Sequence, residues 1–357
     1  MTKQVRCGDL LIGGGAPITI QSMTNVDSRD EKALLEQIAR LTDAECQIVR
    51  IAVPDREAAD VFGNVKKKLG NKVPLVADIH FDYRLAVAAI EAGADKVRIN
   101  PGNIGSIQRV EMVVKKAKEY QIPIRVGVNS GSLEKPILEK YGGVTAQGLA
   151  ESAYHNLRII EEMDYDQLVV SLKSSNVRTN YEAHRILADM TEYPIHVGIT
   201  EAGTLERGKV KSAIGIGSLL LCGIGDTMRV SLTADPVEEV YFAKEILRSL
   251  GLRESAIDLV SCPTCGRTKI DLVGLASEIE RKLTPLEKKL AQQGKPSIKV
   301  AVMGCAVNGP GEAREADFGV AGGDGRGLIF SKGKIIRTVS EDCLAEELLK
   351  IIEEQVL

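Results

Sequence analysis

Lys96-Val97-Arg98-Ile99-Asn100 is the stretch that decides the fold, and Ile124-Arg125-Val126-Gly127-Val128-Asn129 repeats its pattern further on. Each stretch predicts a buried β-strand, because apolar β-branched residues alternate with polar ones, and an amphipathic segment separates the two. Six similar segments bring the total to eight, and they cover residues 17–23, 47–53, 75–79, 167–172, 195–200 and 227–232. The strand starts recur mostly every 21 to 32 residues, with one longer gap of 43, as repeated βα units require.

Eight βα units in about 250 residues fit a (β/α)8 barrel of the TIM type. A doubly wound open sheet is the alternative, since it also alternates strands and helices. Two features favour the barrel. Gly13-Gly14-Gly15 precedes the first strand, so no dinucleotide-binding turn follows that strand, and the strand ends share a recurring polar chemistry. We therefore predict an α/β barrel over residues 1–252 that binds the substrate.

The regular alternation of strands and helices ends at Gly251, a glycine that we predict to terminate the eighth helix. A strand at 256–260, a helix at about 268–293 and a strand at 298–303 follow, and then short strands around 317–321, 328–330 and 334–338 precede a final helix from Glu341. This order predicts a smaller α+β domain over residues 256–357.

The composition is that of an ordinary globular protein with a large core. Of 357 residues 44% are apolar, and 46 basic against 49 acidic side chains give a net charge near −3. This balance provides no general attraction to nucleic acid or to a membrane surface. The N-terminus lacks the apolar core of a signal peptide, and no run approaches the roughly 18 apolar residues of a membrane span. We expect a cytoplasmic protein.

Three of the seven cysteines follow predicted strands of the second domain. Cys262 and Cys265 form a CxxC pair, and Cys305 follows the strand at 298–303. Structural zinc usually has four ligands, whereas an iron–sulfur cluster held by three cysteines can leave one iron for an oxygen ligand or a substrate. No His follows position 196, and Glu312 is the nearest oxygen ligand, so the set fits a cluster better than zinc.

Other interpretations of the cysteines stay open. A CxxC pair can also be a redox dithiol or two inert buried thiols. The four remaining cysteines are isolated, and we expect them to pack as small apolar residues: Cys7, Cys46, Cys222 and Cys343.

Catalytic groups of TIM-type barrels lie at the C-terminal ends of the strands, and those ends are unusually basic here. The four cations are Arg50, Arg98, Arg125 and Lys173. Four inward cations are costly unless an anion meets them, and two phosphoryl groups would suit the guanidinium forks. We infer a diphosphate or bisphosphate ligand. The alternative is that these residues are solvated strand ends or pair with Asp78 and Glu201.

The other strand ends supply acid–base groups. Glu201 is the strongest candidate for proton transfer, because a carboxylate beside bound phosphates is electrostatically unfavourable without a role. His80 and His196 lie at strand ends, where a His is as often a hydrogen-bonded structural group. His155 and His184 lie in predicted helices, and we expect both at the surface.

These motifs resemble those of the bacterial (E)-4-hydroxy-3-methylbut-2-enyl diphosphate synthases of the non-mevalonate isoprenoid pathway. The similarity covers the whole chain and is to the short two-domain form. Its most specific pieces are Gly13–Ile18, Gln21–Asn25, Ala77–His80, Arg98–Asn103, Val126–Ser132, Cys262–Thr268 and Met303–Glu312.

The resemblance implies an iron–sulfur oxidoreductase with a 4Fe-4S cluster on Cys262, Cys265 and Cys305, and with Glu312 as a replaceable fourth ligand. The implied reaction opens 2-C-methyl-D-erythritol 2,4-cyclodiphosphate reductively and dehydrates it to 4-hydroxy-3-methylbut-2-enyl diphosphate. Flavodoxin or ferredoxin would supply two electrons. The implied catalytic residues are Glu201 and Glu312, and the implied substrate-binding residues are Arg50, Asp78, His80, Arg98, Arg125, Asn129, Lys173 and Ser231.

The connection between the domains suggests how the two sites meet. Barrel helices run antiparallel to their strands, so the eighth helix ends on the face opposite the catalytic one. The linker, about Gly251–Ser255, spans at most roughly 18 Å, too little to carry the second domain along the barrel. We expect a head-to-tail homodimer in which each barrel receives its partner's cluster, as the resemblance to a homodimeric family also implies.

Two other classes of function remain to be compared with this one. The first is a zinc-stabilised barrel protein that binds a phosphorylated metabolite without redox chemistry. The second is an aldolase-type barrel with Lys173 as a Schiff base, although the neighbouring cations favour Lys173 as a phosphate ligand.

Overall fold

The computed structural model describes residues 1–305, 313–323 and 325–357. The chain divides into two compact units, Met1–Leu252 and Arg253–Leu357. In the described ranges no helix is both long and apolar enough to cross a membrane.

The first unit alternates strands and helices. Its strands are β1 (Val5–Cys7), β2 (Leu10–Ile12), β3 (Thr19–Met23), β4 (Ile48–Ala52), β5 (Leu75–Asp78), β6 (Lys96–Ile99), β7 (Ile124–Asn129), β8 (Leu168–Lys173), β9 (His196–Val197) and β10 (Thr227–Met228). Its helices are α1 (Glu31–Asp43), α2 (Arg56–Leu69), α3 (Tyr83–Glu91), α4 (Pro101–Ile104), α5 (Ile107–Tyr120), α6 (Lys135–Tyr141), α7 (Ala146–Glu161), α8 (Val177–Met190), α9 (Leu205–Leu221) and α10 (Pro236–Ser249).

Strands β3 to β10 form one parallel sheet in the order β8-β7-β6-β5-β4-β3-β10-β9. A parallel bridge between Val170 and Ile195 joins the two ends of this sheet, so the barrel is nearly closed. The predicted TIM-type barrel is therefore confirmed, and the doubly wound alternative is wrong. The last two strands are shorter than predicted, with two residues each.

The alternation within the strands separates a helix-facing core from the barrel interior. Val97, Ile99, Val126 and Val128 are buried in the cluster that the surrounding helices share. Because neighbouring side chains of a strand point to opposite faces, the polar residues between these positions, such as Arg98, point inward. Burial of the apolar face against the helices therefore makes the cationic side chains point into the barrel.

The hairpin β1-β2 was not predicted, since its two three-residue strands lack a clear periodic signal. Its Cys7 and Ile12 pack with Ile48 and Val76. These last two stand two residues before Arg50 and Asp78 and so share their inward face. The hairpin therefore covers the interior at the N-terminal ends of the strands.

The described residues of the second unit form a mixed sheet and two helices, as the predicted α+β class requires. Its strands are β11 (Ile257–Ser261), β12 (Ile298–Met303), β13 (Phe318–Gly322), β14 (Arg326–Ser331) and β15 (Lys334–Ser340), and its helices are α11 (Leu272–Gln292) and α12 (Leu344–Val356). The sheet order is β11-β12-β13-β14-β15, with the first three strands parallel and the rest antiparallel.

The isolated cysteines differ in their surroundings. Cys7 and Cys46 are buried, as expected, whereas Cys222 and Cys343 are exposed. The expectation that all four pack as small apolar residues was wrong for the exposed pair, because Cys222 follows the end of α9 and Cys343 lies in a short 3-10 turn before α12.

Candidate active site

The four predicted cations lie inside the barrel toward its mouth, a term used here for the C-terminal ends of β3 to β10. Arg50, Arg98, Arg125 and Lys173 are between 1% and 8% exposed. Solvated strand ends are therefore the wrong description of them. Charges this deeply buried are expensive unless they are paired or meet a ligand.

Asp78 is the carboxylate at the centre of this group. Its oxygens lie 3.3 Å from Arg98 Nη1, 3.8 Å from Arg50 Nε and 3.4 Å from His80 Nε2. Burial alone would raise the pKa of Asp78, but the positive charge of Arg50 and the hydrogen bond with His80 hold that pKa well below its usual range. Asp78 is thus an anion that organises two of the cations.

Two further cations join this interior. Lys96, at the start of β6, is fully buried, and burial lowers its pKa although the neighbouring Cys7 partly opposes this. Arg229, just after β10, donates from Nε to Glu239 at 3.4 Å. Arg229 was not in the predicted binding set, and neither was Lys96, which stands two residues before Arg98 on the same strand. Alternation with Arg98 could have found it.

Positive charge exceeds negative charge within this interior, which lies wholly in the described part of the chain. Six cations, namely Arg50, Lys96, Arg98, Arg125, Lys173 and Arg229, face two carboxylates, Asp78 and Glu239. Burial, together with the neighbouring cations Arg50 and Arg229, lowers the pKa of Lys173 well below its ordinary value. Burial and the charges of Arg50 and Arg98 lower the pKa of Arg125 in the same way. An anionic ligand would relieve this repulsion.

Glycines make room for the long cationic side chains. A Cβ on Gly127 would lie 2.9 Å from Arg98 Nη2, and a Cβ on Gly198 would lie 3.2 Å from Lys173 Nζ. Both distances are shorter than ordinary van der Waals contact, and a Cβ on Gly198 would also lie 2.7 Å from the backbone oxygen of Arg229. A larger residue would therefore displace Arg98 at the first position, and the backbone of Arg229 together with Lys173 at the second. The two glycines therefore help to set the positions of Arg98 and Lys173.

The remaining predicted residues lie at the rim of the mouth and are more open to solvent. His80 is half exposed, with 52% of its side chain accessible, and Asn129 and Ser231 are partly buried. Glu201 is exposed and has a left-handed backbone, with φ of 52°. That conformation is uncommon outside glycine and concentrates at functional sites.

The other histidines are structural in their contacts. His196 is fully buried and its Nδ1 lies 3.0 Å from Thr227 Oγ1. His184 was expected at the surface, and this was wrong: it is fully buried, with Nδ1 2.7 Å from Asn180 O, and burial lowers its pKa to about 4. Its helix α8 turns this face toward the barrel, which the helical pattern alone did not reveal.

The three cysteines of the second unit lie near the ends of two adjacent parallel strands. Cys262 follows β11, and its Sγ accepts the backbone N–H of Gly304 at 3.2 Å, next to Cys305 after β12. Backbone and side-chain hydrogen bonds from Arg267 lower the pKa of Cys265, which favours the thiolate. This donor chemistry fits a thiolate-ligated metal centre.

The structure does not bring all three sulfurs together. Cys265 is exposed, Cys262 is partly buried and Cys305 is buried. Among the residues that the structure describes, no group of three His, Cys, Asp or Glu side chains could hold a metal ion. The predicted fourth ligand, Glu312, lies outside the described residues.

Family models match both units of the chain. The GcpE TIM-barrel domain matches residues 2–244, and the GcpE protein C-terminal domain matches residues 258–354. Three relatives carry the name 4-hydroxy-3-methylbut-2-en-1-yl diphosphate synthase (flavodoxin). They come from Caldanaerobacter subterraneus (55% identical, covering 100% of this chain and 98% of the relative), Clostridium perfringens (56%, 99% and 98%) and Bacillus subtilis (54%, 99% and 91%).

Solved structures agree on the fold of the first unit. Dihydropteroate synthase from Xanthomonas albilineans is 14% identical with a TM-score of 0.50, and covers 70% of this chain and 99% of its own. The Vibrio fischeri enzyme of the same name is 11% identical with a TM-score of 0.50, over 70% of this chain and 98% of its own. At such identities the likeness concerns the fold alone. The full-length relatives and the two matching domain models show that the chain belongs to the GcpE family.

Proposed function

We propose that this chain is an iron–sulfur oxidoreductase that converts 2-C-methyl-D-erythritol 2,4-cyclodiphosphate to 4-hydroxy-3-methylbut-2-enyl diphosphate. The conversion consumes two electrons, opens the ring and releases water, and flavodoxin or ferredoxin supplies the electrons in the cytoplasm. The names of the relatives support this reaction and give no support to a zinc-stabilised protein without redox chemistry.

The excess of buried positive charge at the barrel mouth is the observation that carries the proposal. Arg50, Arg98, Arg125 and Lys173 would hold the two phosphoryl groups, with Arg229 beside them. The diphosphate becomes a leaving group at one end during ring opening, so fixed cations stabilise the charge that develops there. They are in place before the substrate arrives, because the strands of the barrel position them.

Asp78, His80, Asn129 and Ser231 would bind the remaining polar groups of the substrate. Asp78 stays ionised because its pKa is held low by Arg50 and His80, after the opposing effect of burial. It therefore serves as an acceptor and an anchor for Arg98 rather than as a proton donor. Glu201, exposed and in a strained backbone conformation, would transfer the proton at the rim of the mouth.

Cys262, Cys265 and Cys305 would hold a 4Fe-4S cluster, with Glu312 as the fourth ligand. When bound, such a cluster supplies the one-electron transfers that a two-electron reduction from flavodoxin or ferredoxin needs. The N–H of Gly304 at the Cys262 sulfur and the contacts of Arg267 with Cys265 would stabilise the thiolate forms.

We propose further that two chains form a head-to-tail homodimer and that each barrel mouth uses its partner's cluster. The end of α10 supports this arrangement. Backbone hydrogen bonds from Gly251 to Arg248 O and from Leu252 to Leu247 O keep the chain folded against the helix. Only residues 253–256 remain before β11, and they reach about 14 Å, whereas the helix itself is about 21 Å long.

Anaerobic purification with iron and sulfide analysis tests the cofactor, and turnover of the cyclic diphosphate with reduced flavodoxin tests the reaction. We expect about four irons and four sulfides per chain, a broad band at roughly 400 nm and the linear allylic diphosphate as product. A colourless, zinc-containing protein without turnover would contradict the proposal.

A mixed dimer tests the shared site. One chain carries Glu201→Gln and the other Cys305→Ser, so each is inactive as a homodimer. If a site uses both chains, mixing restores about one competent site per dimer. If mixing restores no activity, the sharing of sites between chains is wrong.

A further inference from the structure

Glu239 is a buried carboxylate that the proposed reaction does not use. It lies on α10, which packs on the outside of the barrel, yet its side chain is only 4% exposed and points to the mouth end of β3 and β10. A buried charge on a helix is costly, so its contacts indicate what retains it.

Three groups donate to the two oxygens of Glu239. Oε1 accepts the backbone N–H of Leu232 at 3.0 Å, and Oε2 accepts Ser22 Oγ at 3.1 Å and Arg229 Nε at 3.4 Å. Glu239 thus ties together the end of β3, the residue after β10 and the loop that carries Ser231.

The contact with Arg229 uses Nε and leaves the terminal amino groups of the guanidinium in the interior. There, Nη1 of Arg229 lies 3.7 Å from Met23 Sδ, and the same sulfur accepts from Arg50 Nη2 at 2.9 Å. Two guanidiniums therefore converge on one neutral acceptor, in a place where an anion would be a stronger one.

We propose that Glu239 is a positioning residue that holds Arg229, and the neighbouring Ser231 loop, in the orientation that binds a phosphoryl group. This rests on the proposed function for the identity of the substrate but not for the binding of a phosphoryl anion. A positioning role and a purely electrostatic role of Glu239 predict opposite effects on anion binding. A carboxylate that only lowers the positive charge of the mouth would weaken anion binding, whereas a positioning carboxylate strengthens it.

A double-mutant cycle tests the proposal with Glu239→Gln, Arg229→Met and the combined variant. Binding of inorganic diphosphate is measured by calorimetry, and KM and kcat for the cyclic diphosphate are measured with reduced flavodoxin. We expect Glu239→Gln to weaken diphosphate binding and raise KM by about tenfold, the loss of one hydrogen bond to a charged group, with kcat changed less. In the Arg229→Met background the same change should add almost nothing.

Glu245→Gln is the matched control, because it makes the same chemical change at an exposed position of α10. Unchanged or tighter diphosphate binding in Glu239→Gln, or effects that multiply in the combined variant, would overturn the proposal. If Glu239→Gln does not fold, Glu239→Asp replaces it, since the shorter side chain keeps the charge but cannot reach Arg229 and Leu232 together. Wild-type protein that binds diphosphate without turning over the cyclic substrate would refute the proposed function and leave this inference intact.

Discussion

The barrel mouth and the cysteine region differ in what holds their functional groups. The cations of the mouth project from strands whose other face is buried against helices, and Arg98 and Arg125 are thereby fixed within the barrel. The cysteines follow the strands β11 and β12 instead, and the exposed Cys265 lies in a loop. Side chains on strands are positioned by the fold, whereas ligands on loops depend more on what they bind.

This difference predicts that the two regions can be disabled separately. Removal of a cysteine should abolish redox activity and leave anion binding in the barrel. Removal of a cation should weaken anion binding and relieve the repulsion that the fold tolerates. The following variants test that separation, from the largest expected effect to the smallest.

Cys305→Ser should lower turnover at least about thousandfold, because loss of a thiolate ligand prevents assembly of the cluster. Iron content should fall with it. Calorimetry should show diphosphate binding within about twofold of wild type, since the barrel cations are untouched. The matched control is Cys343→Ser, which replaces an exposed cysteine of the same unit. Loss of diphosphate binding in Cys305→Ser would contradict the separation of the two regions.

Arg125→Met should weaken diphosphate binding by roughly 10- to 100-fold, the range for lost hydrogen bonds to a charged ligand. Without ligand, the same variant should melt about 2–4 °C higher, because burial beside Arg50 and Arg98 makes this charge unfavourable in the fold. Arg84→Met is the control, since Arg84 is exposed on α3. A lower melting temperature with unchanged binding would show that Arg125 is structural.

Gly127→Ala should weaken diphosphate binding by about tenfold, because the added Cβ displaces the guanidinium of Arg98 by a few tenths of an ångström or more. Gly131→Ala is the control, because Gly131 follows the same strand and a Cβ there would meet nothing within 4 Å. If both variants bind diphosphate like the wild type, the close fit of Arg98 over Gly127 has no role in binding.

His184→Gln should change the response of the barrel to acid and leave diphosphate binding at pH 7 unchanged. The folded pKa of His184, about 4, lies below its unfolded value because burial favours the neutral ring. The contribution of the neutral ring to the free energy of unfolding is therefore complete above about pH 6.5. It is lost as the pH falls toward 4, by up to about 3 kcal/mol.

Thermal melting between pH 7 and pH 4 measures this effect. Wild type and the control His155→Gln, which alters an exposed residue of α7, should lose stability across the window, and His184→Gln should lose less. All four histidines precede Arg253, so the effect belongs to the barrel unit. If the melting temperatures of all three proteins fall equally between pH 7 and pH 4, the predicted role of His184 is wrong.

The sequence predicted the strands well because burial on one face imposes a regular pattern. All eight predicted strands start within two residues of an observed strand, and the cations Arg98 and Arg125 follow from the same alternation. The hairpin β1-β2 escaped prediction because each strand has three residues and gains its stability from packing against Ile48 and Val76. Local pattern carries no information about such a contact.

The sequence by itself determined the barrel class, the basic character of its strand ends and the three cysteines that follow strands of the second unit. Only the tertiary structure decided that His184 faces the barrel and that Glu239 reaches Arg229 from a helix. The physical reason is distance along the chain. Alternation is a local property that the residues of one strand share, whereas charge compensation and burial depend on groups that meet only after the barrel has closed.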